Sequence, residues 1–120
     1  MGKRILCVDD DHNWRLILET TLQDAGYEIR TAGDPSQALG EVEDFDPDLM
    51  ILDLDLAGEN GLELMSFVRQ NHPALKIMLY TGMEHDAEII LRSLEQGACS
   101  YLKKGSPEQL VAEVDLVLGS

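Results

Sequence analysis

Asp48-Leu49-Met50-Ile51-Leu52-Asp53 is the stretch on which the fold turns. Its four consecutive apolar residues show no polar alternation, so a strand built from them is covered on both faces, as interior strands of helix-covered parallel sheets are. Working outward, strand-like and helix-like segments alternate. Upstream, Lys3-Arg4-Ile5-Leu6-Cys7-Val8 is a short β-favouring run ending at Asp9, Asp10 and Asp11. Trp14, Ile17, Leu18, Thr21, Leu22 and Ala25 then recur at helical spacing, and Gly26 supplies the stop. Tyr27 to Ala32 alternates apolar with polar, which suits an edge strand. Asp34-Pro35-Ser36-Gln37 offers a capping side chain, a proline at the first helical position and a glutamine at the third, so a helix starts there.

Downstream, a loop with Gly58 and Asn60-Gly61 leads to a helix carrying Leu62, Met65 and Val68 inward. Leu75 to Tyr80 is a second buried strand and ends at Thr81-Gly82. Ile89, Ile90, Leu91 and Leu94 mark the next helix, closed near Gly97, and Cys99 to Leu102 the fifth strand. Ser106-Pro107-Glu108-Gln109 repeats the capping pattern and opens a last helix with Leu110, Val111, Val114, Val117 and Leu118 as its apolar residues. Strict alternation predicts an α/β fold: a (βα)5 doubly wound, open, parallel five-stranded sheet with helices on both faces. Only the second strand has polar alternation, which places it at an edge and favours the order 2-1-3-4-5.

The 120 residues suffice for one domain, 1–120, with a single core. Nine basic against 23 acidic side chains give a net charge of −14, a field that repels phosphate backbones and argues against direct nucleic-acid binding by this chain. Most of these charges read as a solvated surface. No apolar run approaches the roughly 18 residues of a membrane span, and Met1-Gly2-Lys3-Arg4 leads into a strand, not a signal peptide. Cys7 and Cys99 fall on strands about 14 Å apart across such a sheet, too far for a disulfide, so both are expected as reduced core thiols of a cytoplasmic protein. Nothing follows the fifth helix but Gly119-Ser120, so the chain reads as a stand-alone unit or a portion of a longer one.

In open α/β sheets the working crevice lies beyond the carboxyl ends of the strands, where strand order reverses. Here that is between the first and third strands. Asp9, Asp10 and Asp11 fall on one side, Asp53 on the other, Thr81 past the fourth strand, and Lys103 and Lys104 past the fifth. Two unit charges about 4 Å apart cost around 4 kcal/mol at an effective dielectric of 20. A cluster of carboxylates therefore stays partly protonated or takes up a cation. Hard oxygen donors with no nearby His or Cys point to Mg2+, with Mn2+ as the alternative.

Val8-Asp9-Asp10-Asp11, Leu52-Asp53-Leu54-Asp55-Leu56, Tyr80-Thr81-Gly82 and Tyr101-Leu102-Lys103-Lys104 resemble, in order and spacing, the signature positions of bacterial response-regulator receiver domains, across essentially the whole chain. The resemblance implies a flavodoxin-like three-layer sandwich and a phosphorelay function, with Mg2+-dependent transfer of a phosphoryl group from a sensor histidine kinase, a phosphotransfer protein or a small phosphodonor. Asp53 corresponds to the phosphoacceptor, Asp9 and Asp10 to the metal-binding pair, and the backbone carbonyl of Asp55 to a third ligand. Thr81 corresponds to the switch hydroxyl, Lys104 to the phosphoryl-pairing lysine and Tyr101 to the aromatic switch. The resemblance further implies a signalling domain that catalyses only its own phosphorylation and dephosphorylation, a downstream effector protein or output domain as partner, and homodimerisation on phosphorylation as one open outcome.

Simpler roles stand beside these. Asp11 suits a helix N-cap. The Asp55 side chain either tunes phosphoryl lifetime or is merely exposed, and Lys103 and Lys104 can exchange roles by strand register. Trp14, one helical turn past Asp10, reads as packing. His12, His72 and His85 have no metal spacing and read as surface residues. The pattern departs from the family at Gly105, where a proline in a cis bond is common, at Ala57, another common proline, and at Asn60, a common aspartate; glycine's wide φ/ψ range permits a similar bend without enforcing it. The rival functions are a non-phosphorylated docking module and an Asp-x-Asp phosphatase. Phosphatases of that type open on the nucleophile strand, whereas Asp53 ends the third.

Overall fold

The computed structural model describes residues 2–56, 59–82 and 87–119, with the backbone alone for residues 59 and 60. Ala57, Gly58, His85, Ser120 and the Asn60 side chain lie outside the described residues. Five strands, β1 (Arg4–Val8), β2 (Glu28–Ala32), β3 (Leu49–Leu52), β6 (Lys76–Thr81) and β7 (Ser100–Lys103), form one parallel sheet in the order β2-β1-β3-β6-β7. Two further strands, β4 (Asp55–Leu56) and β5 (Glu59–Asn60), pair antiparallel where the sequence suggests only a loop. Leaving that short pair out of the numbering, the spatial order is the expected 2-1-3-4-5.

The helices are α1 (His12–Asp24), α2 (Pro35–Phe45), α3 (Gly61–Asn71), α4 (Ala87–Glu95) and α5 (Pro107–Leu118). Side chains of a strand alternate between faces, and β3 shows it. Leu49 and Ile51 pack in a core layer with Leu18 and Leu22 of α1 and Leu110 and Val114 of α5. Met50 and Leu52 pack in the opposite layer with Ala38 and Val42 of α2 and Leu64, Met65 and Val68 of α3. Burial on both faces is what the unbroken apolar run requires, and truncating such a residue to alanine costs about 2–5 kcal/mol.

The caps form as the sequence predicts. Asp11 accepts hydrogen bonds from the N–H groups of Asn13 and Trp14, Asp34 from Gln37 and Ser106 from Gln109. Gly61 departs from its expected place in a loop: it is the first residue of α3. A Cβ there would lie 2.8 Å from Leu54 Cα and 2.9 Å from the Asp53 carbonyl oxygen, so only glycine lets α3 approach the end of β3 this closely.

Burial separates two places from what their residue types suggest. Leu91 and Leu94 of α4 are 58% and 39% exposed, and the buried residue of that helix is Ser93, whose hydroxyl donates to the Ile89 carbonyl at 2.9 Å. Periodicity fixes which residues share a helix face, not whether a partner covers it. Here α4 lies against β7, itself an edge strand, which leaves part of its apolar face bare. The other is Cys99, expected in the core: both thiols are free, but only Cys7 is in the core, its thiol pushed up by burial, while Cys99 sits at the surface just before β7.

Candidate functional site

Register brings the acids together. Val8 of β1 lies opposite Leu52 of β3, so the next residues, Asp9 and Asp53, emerge side by side from adjacent strands. The ladder runs one step further: Asp53 N–H donates to the Val8 carbonyl at 3.0 Å and Asp9 N–H to the Ala32 carbonyl at 3.0 Å. Asp9 is 1% exposed and Asp53 5%, whereas Asp10 is exposed. Carboxylate oxygens of Asp9, Asp10 and Asp53 all lie within 4.8 Å of one another. On the other side of β3, Thr81 ends β6 opposite Lys103, and Lys104 N–H donates to the Thr81 carbonyl at 2.9 Å.

That register decides between the two lysines. Lys103 is exposed, and it is the Lys104 ammonium that lies 2.6 Å from Asp9 Oδ2 and 2.9 Å from Asp53 Oδ2. The side chain of Lys104 is only 7% exposed. The electrostatic argument from sequence calls for positive charge among the acids, and the chain supplies one such charge itself. It is the Lys104 ammonium, delivered from the strand end beyond β6. Burial alone pulls Lys104 down, but its hydrogen bonds to Asp9 and Asp53 outweigh this and hold it above the ordinary lysine range. Burial pushes Asp9 above the usual carboxylate range, with the bonds from Lys104 and the Asp11 N–H pulling back only in part. The ammonium thus stays charged while Asp9 is held closer to protonation than a surface aspartate.

Each buried carboxylate is shared between backbone and ammonium. Asp9 Oδ1 accepts from Asp11 N–H at 2.9 Å, and Asp53 Oδ1 from Asp55 N–H at 3.0 Å. Thr81, fully buried, donates its hydroxyl to Asp55 Oδ2 at 3.0 Å. The Asp55 side chain is therefore engaged with Thr81 and is not part of the close carboxylate group. Tyr101, half-buried on β7, packs against the core layer under α2 and α3. Asp11 caps α1, and His12 is exposed. His72 is half-buried, its Nε2 3.1 Å from Glu43 Oε1.

The sequence reading misses Arg15, whose guanidinium donates to the Asp9 carbonyl at 2.7 Å and pins the turn that carries the first acid. Its signal is position alone: a long donor one turn into a helix whose cap adjoins a strand end. Trp14 is also more than packing, since its ring centroid lies 5.1 Å from the Lys104 ammonium. The closely spaced, hard oxygen donors, with no imidazole or thiolate among them, fit a hard divalent cation.

Residues 5–115 match the response regulator receiver domain family. The alkaline phosphatase synthesis transcriptional regulatory protein PhoP of Bacillus subtilis is 34% identical over 119 residues, covering 98% of this chain and 49% of the relative. The DNA-binding response regulator MtrA of Mycolicibacterium smegmatis is 37% identical over 115 residues, covering 95% of this chain and 50% of the relative. The chain thus spans about half the length of the curated relatives it matches. Among solved structures, a CheY-like response regulator receiver domain protein from Methanospirillum hungatei superposes with a TM-score of 0.92 at 29% identity, covering 99% of this chain and 95% of the other. No helix among the described residues is long and apolar enough to cross a membrane.

Proposed function

The chain belongs to the response regulator receiver domain family, and from that premise we propose that residues 1–120 form one phosphoacceptor unit that takes a phosphoryl group on Asp53. The observation that carries the reading is the Lys104 ammonium bridging buried Asp9 and Asp53, with Asp10 in the same group of carboxylates. This arrangement stabilises negative charge where a phosphoryl group arrives.

Asp9, Asp10 and Asp53, with the backbone carbonyl of Asp55, would hold Mg2+ or Mn2+. The bound ion would neutralise phosphoryl oxygens. An Asp53 carboxylate oxygen attacks phosphorus in line. The new O–P bond forms as the bond to the donor breaks, and the electron pair departs with the donor group. Lys104 pairs with a phosphoryl oxygen. The product carries nearly two negative charges, which draw the Thr81 hydroxyl from Asp55 toward the phosphoryl group, and Tyr101 follows. The readout is a shifted protein-interaction surface around α4 and β7.

The donor is a sensor histidine kinase, a phosphotransfer protein or a small phosphodonor in the cytoplasm. MtrA is named as DNA-binding and PhoP as a transcriptional regulator, which points to a DNA-binding output that a net charge of −14 assigns to a partner or a further domain and not to these residues. Homodimerisation on phosphorylation is part of the same reading. Intact-mass measurement after incubation with acetyl phosphate and Mg2+ tests it. One stoichiometric phosphoryl, absent in Asp53→Asn, is expected, and a protein that binds Mg2+ yet never gains mass would overturn it.

A further inference from the structure

The lysine that bridges the acids is itself held by a group of residues with no assigned part in the chemistry. The stem of Lys104 runs past Gly82, where a Cβ would meet Lys104 Cδ at 3.4 Å. Its ammonium stands over the Trp14 ring, within the roughly 6 Å at which a cation is attracted to an aromatic face. Trp14 in turn meets Tyr80 edge to face, with ring centroids 5.8 Å apart and planes at 85°. Tyr80 is 1% exposed, and its hydroxyl oxygen accepts a hydrogen bond at 3.1 Å from the backbone N–H of Gly105, the residue next to Lys104. The contacts close a loop: Lys104 to Trp14, Trp14 to Tyr80, Tyr80 to Gly105, and Gly105 back to Lys104 through the peptide bond.

This loop gives Gly105 a meaning different from the one its type suggests. Conformational freedom is not what the position uses. Among the described residues no peptide bond is cis, and the glycines with positive φ are Gly26, Gly97 and Gly119. A Cβ at 105 would meet nothing nearer than the Lys103 carbonyl oxygen at 4.0 Å. What the position supplies is a backbone N–H, which a proline lacks.

We propose that Trp14 and Tyr80 are positioning residues for Lys104, setting where its ammonium stands between Asp9 and Asp53, with the Gly105 N–H to Tyr80 hydroxyl bond as the anchor. An ammonium on a flexible four-carbon stem otherwise spreads over many rotamers, and a reacting group displaced by even 1 Å loses rate. The aromatic pair limits that spread from the α1 side, and the anchor ties the pair to the backbone that carries the lysine.

The inference rests on the phosphoacceptor reading, and its test separates the two. In the full chain, phosphorylation by acetyl phosphate with Mg2+ is timed by intact mass, and the Lys104 ε-methylene resonances are followed by NMR. An ammonium over the indole face places those protons in the ring current, upfield of the other lysines. Tyr80→Phe removes only the acceptor oxygen and is expected to slow phosphorylation about two- to tenfold, the range of one hydrogen bond, and to move the Lys104 resonances toward those of the other lysines. Gly105→Ala keeps the N–H and matches the wild type in both readouts, while Gly105→Pro resembles Tyr80→Phe. Trp14→Leu removes the ring current and slows the reaction as well.

Phosphorylation of Tyr80→Phe at the wild-type rate overturns the proposal, and so do Lys104 resonances that do not move. Should the wild-type protein itself take up no phosphoryl group, the phosphoacceptor reading fails. The resonances of Tyr80→Phe and Gly105→Ala then still decide whether the anchor sets the position of the lysine.

Discussion

The two ends of the central sheet use the same residue types under opposite conditions. At the amino ends of the strands, Asp48 accepts the Arg4 N–H at 2.9 Å, Lys76 donates to the Val117 carbonyl at 2.8 Å, and Arg4 and Asp46 meet at 3.7 Å with Asp46 90% exposed. Charges there are solvated or bonded to backbone and place little demand on one another; an exposed pair of this kind is worth about 0–1 kcal/mol. At the carboxyl ends, Asp9 and Asp53 are buried and share a single ammonium. Removing the ammonium there leaves two buried carboxylates without a cationic partner. The difference separates charge that serves solubility and strand termination from charge gathered for chemistry.

The sharpest way to break this comparison is to neutralise one acid at each end. Asp53→Asn is expected to abolish the phosphoryl mass gain, while Asp48→Asn keeps it. Equal loss in both would mean that the two ends do not differ in function. Next comes the pair of lysines. Lys104→Met leaves Asp9 and Asp53 without their ammonium; breaking a buried ion pair costs up to about 3–5 kcal/mol, reduced here because Asp9 can take up a proton. Denaturant midpoints should drop for this variant, whereas Lys76→Met changes stability by about 1 kcal/mol or less.

Magnesium sharpens the contrast further. In calorimetric titration Asp9→Asn is expected to weaken Mg2+ binding at least about tenfold, since a charged oxygen ligand is lost from a buried group, and Asp46→Asn should leave the isotherm unchanged. The smallest effect is in pH. The Lys104 pKa is raised in the folded state, so its stabilising pairing is fully present below the ordinary lysine value of about 10.4 and is lost only as pH climbs through the higher folded-state value. The stability difference between wild type and Lys104→Met attributable to that pairing should hold constant through neutral and mildly alkaline pH and shrink only beyond the ordinary lysine range. A difference that shrinks as pH rises through neutrality would contradict the raised value.

Much of this was legible in the residues. The apolar run 49–52, the alternation in 27–32 and the two Asp/Ser-Pro-x-Gln caps determine the (βα)5 order, because burial and capping are local demands that each segment states for itself. The same local logic carries Asp9, Asp10 and Asp53 to strand ends on one edge. Sequence stops where a contact depends on what a distant segment presents. Whether Lys103 or Lys104 faces the acids is a matter of register between β6 and β7, and the exposure of Leu91 and Leu94 depends on which elements cover α4. The glycines show the same divide: Gly61 works by close approach of backbones and Gly105 by the hydrogen bond its N–H makes. Local pattern determined the strands, the helices and the common edge for the acids. Only packing in three dimensions decided which lysine ammonium meets Asp9 and Asp53 and how closely, because long-range charge pairing is set by distances that no single stretch of chain contains.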